Sequence, residues 1–596
     1  MKRYQILFLA ALTGTAVSCQ KDFLDRYPQT SVTPEVFFNT EEDLALYING
    51  LLSMPDRYVY RNEQSSDNAA TTGAVEVKNI MTGNPSSQNV SGGWSWGRLR
   101  TINYFLENYE RANVTDEVKN HYAGLARYYR ALFYHDKVKR FSDVPWYSGT
   151  LNPGDEELFK GQDPRTLVMD NVMADLEFAV ANVREDVPTG TPGKWVVALA
   201  EAKIALHEGT YRKYHGYLDL EGTADALLQK AAATAARIMA ESGHSIYNTG
   251  NPETDYAALF GSQDLLNNPE VMLASIFDQT RNRSQNANNE IFGNYEQSPA
   301  RGLVQTYLMA DGSRFTDQAG YETMGFVEEF ENRDPRLAQT MAYPGWQRVQ
   351  DAAPYVQFLA RNFTGYHQLK GYVNSTDQVE LGGVDVSAHR YAEALLILAE
   401  AKAELGTLTQ TDLDNTVNLL RDRVGMPHLD LAWANANPDP VETTKFPNVS
   451  GANTGVILEI RRERRVEFAF ESMRYDDLMR WHAGKLLESI PRGMYFPGVG
   501  DYDLTGDGVA DIRLIPEGET IPAERDQNSL GVQLVYYTIG PIGGGASIYL
   551  ENGVNGGFLV TDDRERTFIE PQYYYRPVPN SETILNNNLY QVFGWE

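Results

Sequence analysis

Cysteine is nearly absent from this chain: Cys19 is the single thiol in 596 residues. An internal disulfide framework is excluded, so stability must come from packing. Positive charge is scarce too, with 52 Lys and Arg against 80 Asp and Glu and a formal net charge of −28. That balance argues against nucleic acid as a partner, because phosphate backbones are held by clustered cations. It also leaves no basic patch for anionic headgroups. Apart from the N-terminus, no apolar run approaches the roughly 18 residues of a membrane-spanning helix. The nine histidines show no HExxH or other ligand spacing, so a zinc site is not expected. There is no GxSxG elbow. Gly190 to Trp195 resembles a phosphate loop only superficially, since Trp195 stands where Ser or Thr is needed. No nucleophile–base arrangement stands out, and no enzymatic activity is expected.

What is present begins at the N-terminus. Lys2 and Arg3 precede an apolar, small-residue stretch, Ile6 to Val17, which ends in Ala16-Val17-Ser18-Cys19. An ordinary secretory signal needs no cysteine at its cleavage site. A bacterial lipoprotein signal does: its cysteine carries the acyl chains that anchor the protein stably. We therefore read 1–18 as a lipoprotein signal, Cys19 as the lipidated residue and 19–40 as a tether. Ala16 stands where Leu is commoner.

Beyond the tether, apolar spacing of three and four predicts helices over 41–53, 96–112, 116–141, 164–182, 194–211 and 223–242. Thr40 and Asp163-Pro164 provide starts. Residues 54–93, rich in Ser, Asn, Gly and Thr, read as a long loop. The run Leu199-Ala200-Glu201-Ala202-Lys203 recurs as Leu398 to Lys402. Small residues at this spacing let helices approach closely, as in tetratricopeptide-type pairs. Helices are expected again over 388–405, 411–424 and 455–483, with a polar loop at 430–454. The stretches 243–387 and 491–570 read as loop-rich insertions, the second with short strands such as 532–539. The expected fold is mainly α, one body over 41–596, with helical repeats over about 41–242 and 388–483.

Three groups of residues are candidates for chemistry. Glu463, Glu467 and Glu471 fall one turn apart among Arg461, Arg462, Arg464 and Arg465. Two carboxylates suggest a glycosidase, but guanidinium neighbours depress carboxyl pKa values when one must be raised. An ion-pair network pinning the helix is the better reading. Asp503, Thr505, Asp507, Val509 and Asp511 surround Gly turns at calcium-loop spacing, with Leu514 where a bidentate Glu belongs. They form a candidate structural calcium site, with a plain Asp/Gly turn as the alternative; no other cofactor is expected. Trp94, Tyr343, Trp346, Tyr355 and Phe358 lie in loop-like regions near Asn or Arg. Sugars stack their apolar faces on such rings, and packing competes with binding at each position.

The segment Ile460 to Phe468, with Glu471 and Arg474-Tyr475-Asp476-Asp477-Leu478-Met479-Arg480-Trp481, closely resembles the hallmark of SusD/RagB-type outer-membrane lipoproteins. Asp22-Phe23-Leu24-Asp25 with Pro28, Arg130 to Tyr134 with Asp143-Val144-Pro145, Asp334 to Leu337, Arg390 to Glu393 and Tyr573 to Pro579 fit further blocks in order. The resemblance implies four tetratricopeptide-like helical pairs carrying a loop-rich ligand-binding half. It implies a surface-exposed, non-enzymatic protein, lipid-held in the outer membrane, that caps a SusC-like TonB-dependent transporter and delivers oligosaccharide or another nutrient. The alternatives are a surface-anchored glycan hydrolase and a transporter lid that binds nothing. Ligand residues vary with substrate in this family, so none is carried over.

Overall fold

The computed structural model describes residues 37–286, 288–293, 297–374 and 382–595. The signal, Cys19, most of the tether, and the Asp22–Asp25 block with Pro28 lie outside them. The helical part comprises α1 (Glu41–Asn49), α2 (Glu76–Thr82), α3 (Gly97–Asn108), α4 (Asp116–Phe141), α5 (Arg165–Asn182), α6 (Lys194–Tyr214) and α7 (Ala224–Glu241). It resumes with α8 (Tyr391–Glu404), α9 (Val417–Arg423), α10 (Thr454–Glu467) and α11 (Arg474–Arg480).

Local chemistry sets the helix starts. The Thr40 hydroxyl accepts from Asp43 N, and the Asp43 carboxylate accepts from Thr40 N, closing a capping box on α1. Thr115 caps α4, whose first turn carries Asp116 and Glu117 and whose last carries Lys139 and Arg140, the charge order a helix dipole favours. Packing then joins neighbours: α4 lies on α5, α6 on α7, and α8 on α7. Gly124 makes the first contact possible, because a Cβ there would meet Val183 Cγ2 at 2.8 Å. The repeated Leu-Ala-Glu-Ala-Lys runs thus lie on α6 and α8, which both pack on α7, and Lys203 of α6 reaches Glu393 of α8 at 2.7 Å. One apolar core runs through these helices from Phe38 to Trp595.

The structure corrects several readings. The helix expected over 411–424 breaks into Gln410–Asp414 and α9, and 388–390, expected in a helix, lie in a strand that ends at Arg390. Residues 54–93 hold a 3₁₀ helix, Arg57–Ser65, a strand β1 (Ala69–Thr71) and α2. Residues 430–454 hold two short helices, Leu431–Ala436 and Pro440–Lys445, started by the side chains of Asp430 and Asp439. The 455–483 helix breaks into α10 and α11, with Phe470 and Ser472 at positive φ. Tertiary bonds impose that break: Ser472 N donates to Glu63 Oε1, and Arg474 clasps Asp67 at 2.7 Å.

The loop-rich part is stitched by short strands: β1 pairs with β3 (Gln297–Pro299), and β2 (Val271–Ser275) pairs with β4 (Val386–Arg390). Within 491–570, β5 (Tyr495–Phe496) pairs with β10 (Gly557–Phe558). The strands β6 (Gly500–Tyr502), β7 (Ile512–Pro516), β8 (Val535–Gly540) and β9 (Ile548–Tyr549) form one sheet in sequence order. Only β6–β7 is an antiparallel hairpin; the other two pairings are parallel. A second apolar core, including Tyr307, Met341, Tyr366 and Ile539, lies beneath this sheet.

Candidate functional site

The predicted aromatic residues do not form one group. Trp346 and Tyr355 come together, with ring centroids 5.8 Å apart. The loop between them is closed by Tyr355 N donating to Trp346 O at 2.8 Å and by Trp346 N donating to Tyr343 O at 3.0 Å. Three further rings, Phe292, His367 and Tyr372, complete the cluster. Phe292 is its hub: 4.0 Å from His367 in a stack, 4.9 Å from Tyr372, 5.1 Å from Tyr355 and 5.4 Å from Trp346. These three were not singled out from the sequence because they converge from distant segments. Phe292 and Tyr372 do sit near Asn in a loop-rich stretch, the criterion that selected the others.

Polar groups edge the cluster. The Arg348 guanidinium lies 5.3 Å from the Phe292 ring and donates to Asp351 at 2.6 Å. Asn374 donates to Gln347 O at 2.9 Å and accepts from Val349 N at 2.9 Å. Tyr355 Oη and His367 Nδ1 are 2.9 Å apart. Burial pushes the His367 imidazole down to about 3, so it is neutral here. Burial lifts Tyr372 to about 12. Trp346 is only 7% exposed, whereas Tyr343 is 37% and Phe358 42% exposed. Trp346 therefore acts as the packed floor; the accessible rings among the predicted residues are Tyr343, whose carbonyl accepts from Trp346 N, and Phe358.

Trp94 is elsewhere. It is buried in the helical core, edge-on to Phe141 at 4.8 Å and to Trp96 at 5.5 Å. With Trp96, Leu99, Tyr147, Phe159 and Leu585 it lines a mostly apolar cavity of about 420 Å³.

The Asp503–Asp511 segment is the β6–β7 hairpin loop, and its carboxylates turn to their own backbone. Asp503 accepts from Thr505, Gly506 and Gly508 N, Asp507 from Val509 N, and Asp511 from Leu504 and Thr505 N. Burial raises the Asp511 carboxyl. Among the described residues, no group of three or more His, Cys, Asp or Glu is gathered closely enough to hold a metal ion.

The charged helix forms a buried ion network, but its partners are not those its sequence suggests. Glu463 accepts from Arg336 at 2.6 Å and Arg421 at 3.1 Å. Glu467 accepts from Arg390 and Arg423 at 2.7 Å and from Arg336 at 3.0 Å. Glu471 takes Lys370 at 2.6 Å and Arg390 at 2.8 Å. Burial alone would raise Glu467, yet Arg423, Arg390 and Arg336 hold it well below the usual carboxylate range. The helix's own arginines point to other partners: Arg464 to Asp477, Arg465 to Asp67, and Arg462 to Asp439 and Glu459. Arg461 is caged by Trp481, Phe446 and Tyr214 at 4.4–4.9 Å. A glycosidic acid needs a raised pKa and access to substrate. Glu63 is lifted to about 7 by burial, but it is 1% exposed and bonded to Ser66, Asn68 and Ser472.

A family model described as the SusD family matches residues 269–595. The chain belongs to the SusD family. Among curated relatives, SusD-like protein P2 of Formosa agariphila is 23% identical over 518 residues, covering 81% of this chain and 92% of that protein. SusD-like protein P38 of the same organism is 22% identical, covering 80% and 91%. A solved SusD-like protein from Bacteroides fragilis superposes with a TM-score of 0.65 at 18% identity, over 96% of this chain and all of that one. A solved SusD-like carbohydrate binding protein from the same species also gives 0.65, at 21% identity over 93% of this chain and all of its own. The helical, tetratricopeptide-like architecture expected from the sequence is thus the architecture of the SusD fold.

Proposed function

We propose that this SusD-family chain binds glycan, is held at the outer membrane through Cys19, and works as the lid of a SusC-like TonB-dependent transporter. The observation that carries the binding assignment is the aromatic cluster of the loop-rich half. Its packed floor of Trp346, Phe292 and Tyr355 is flanked by exposed Tyr343 and by Gln347, Arg348, Asp351 and Asn374. Rings that take the apolar face of a sugar and amides that take its hydroxyls are the two parts such a site needs. One solved relative with this fold is itself described as a carbohydrate binding protein. Anchoring through a lipid accords with the described residues, in which no helix is long and apolar enough to cross a membrane.

Binding without turnover is the reading supported by the ion network, whose carboxylates are committed to arginines. Capture on rings and hydrogen bonds, then release to the barrel, requires only modest affinity. Calorimetric screening of the protein against neutral and acidic oligosaccharides tests the reading. We expect at least one glycan class to bind without product formation; product from any glycan, or binding to none, contradicts it. Co-purification of a TonB-dependent barrel with the full-length protein tests the transporter assignment, and Cys19→Ala tests the anchor by releasing the protein from the membrane fraction.

A further inference from the structure

A cavity of about 500 Å³ shares no lining residue with the Trp346 cluster. It is bounded by the 300–323 segment, Lys445, Arg465 on α10, the 486–492 segment and Phe558 of β10. Four cations line it, Arg301, Lys445, Arg465 and Arg492, against two acids, Asp67 and Glu322. That is the reverse of the whole chain, in which acids outnumber bases 80 to 52.

For three of these cations the answering acid does not line the cavity. Glu442 holds Lys445 at 2.7 Å, Glu329 holds Arg301 at 2.9 Å, and Glu551 holds Arg492 at 2.7 Å; none of the three lines the cavity. Asp67 is already bridged by Arg465 at 3.1 Å and Arg474 at 2.7 Å. Compensation at Arg301 is incomplete, because burial lifts the Glu329 carboxyl to about 7 despite the guanidinium. The lining thus carries four cations against two acids, with three of the counter-charges set outside it, and a concave wall concentrates the local field.

The donors are placed for use. The Arg492 side chain is 53% exposed and that of Lys445 27%. Phe558 lies 4.9 Å from the Arg492 guanidinium and 5.2 Å from that of Arg301, which orients both. A guanidinium fork matches the paired oxygens of a carboxylate or a sulfate. Gln305, Thr323 and Ser489 add neutral polar groups suited to hydroxyls. The size falls within the range of small-molecule sites.

We propose that this cavity is a second saccharide subsite that takes an acidic sugar, seating its carboxylate or sulfate on Arg492 and Lys445 with Arg465 and Arg301 behind. That the anion is carried by a sugar rests on the glycan-binding reading; the anion preference rests on the cavity itself. Glu322 is the one acid on its wall without a cation partner among the ion pairs of the described residues, so removing its charge should strengthen binding.

The test is calorimetry on the full chain in detergent with galactotriose, trigalacturonate, a sulfated galactotriose and inorganic sulfate. We expect at least one acidic trisaccharide to bind about tenfold or more tighter than the neutral one, a factor typical of one charge-assisted contact. Which acid wins distinguishes carboxylate from sulfate. Arg492→Gln should remove that advantage, Glu322→Gln should enlarge it, and Tyr343→Ala/Phe358→Ala should leave it intact. Equal affinity for neutral and acidic trisaccharides overturns the proposal. So does an acidic preference that survives Arg492→Gln or that disappears in the Tyr343/Phe358 variant, with the glycan reading left standing. Arg492-dependent binding of inorganic sulfate with no saccharide bound would instead overturn the sugar assignment and the glycan reading together.

Discussion

The ion network around α10 and the aromatic cluster around Trp346 are both buried, and they are built on opposite principles. In the network, Glu467, Arg390, Arg423 and Arg336 are all less than 2% exposed and answer one another's charge. Such groups have nothing left to offer a ligand. In the cluster, the floor is packed and the polar groups sit at the edge, while Tyr343 beside it and Phe358 in the same loop-rich stretch stay exposed. A concentration of carboxylates on one helix is thus architecture, and a thinner set of rings on loops is the better candidate for recognition.

The largest effect should come from breaking the network. Arg390→Ala leaves Glu467, Glu471 and Glu270 short of a cation, and loss of one partner of a buried pair costs about 3–5 kcal/mol. Chemical denaturation should show this loss, or no folded protein at all; a change under 1 kcal/mol would mean that the network is not structural. Next in size is Trp346→Ala. Removing a buried ring from contact with Phe292, Tyr355 and Tyr372 should cost about 3 kcal/mol. On the sequence alone packing and binding compete at Trp346, and its 7% exposure decides for packing.

A pH titration separates the two regions further. His367 is depressed to about 3 in the fold against an ordinary value of 6.5. The unfolded chain therefore binds the extra proton between these values, and stability falls as pH drops from about 6.5 toward 3. Glu442, buried beside Lys445 and Arg462, is lowered to about 2 from 4.5. Its contribution is complete above 4.5 and is lost as pH falls toward 2. Melting temperature should thus begin to decline below pH 6.5, and His367→Gln should make the decline between 6.5 and 5 shallower. An unchanged slope would remove His367 from the account. The smallest effect belongs to the rim: Tyr343→Ala and Phe358→Ala should each change stability by about 0.5 kcal/mol or less.

Local rules made part of this legible. Helix α4 follows its apolar spacing to the residue, and α1 starts where Thr40 caps it. The 3₁₀ helix Arg57–Ser65 gave no periodic signal, because its sequence is polar and Glu63 and its neighbour Asp67 are held by distant Ser472, Arg465 and Arg474. The acids of α10 were readable as ion-paired, but their partners lie far away in sequence, at Arg336, Arg390, Arg421 and Arg423. In the site, the sequence singles out Trp346 and Tyr355 one by one as rings near Asn or Arg; that the two meet is set by the fold. Burial, which decides that Trp346 is floor and Trp94 core, depends on what folds over them and has no local signature.

The proposed division of labour has the exposed rings near the Trp346 cluster recognise glycan, while the arginine-paired carboxylates of α10 do not. It is tested most directly by titrating a bound oligosaccharide into the wild-type protein and into Tyr343→Ala/Phe358→Ala, with melting temperature measured on both. The account predicts that affinity falls about tenfold or more in the variant while the melting temperature moves by no more than a few degrees. Unchanged affinity in a folded variant would contradict it.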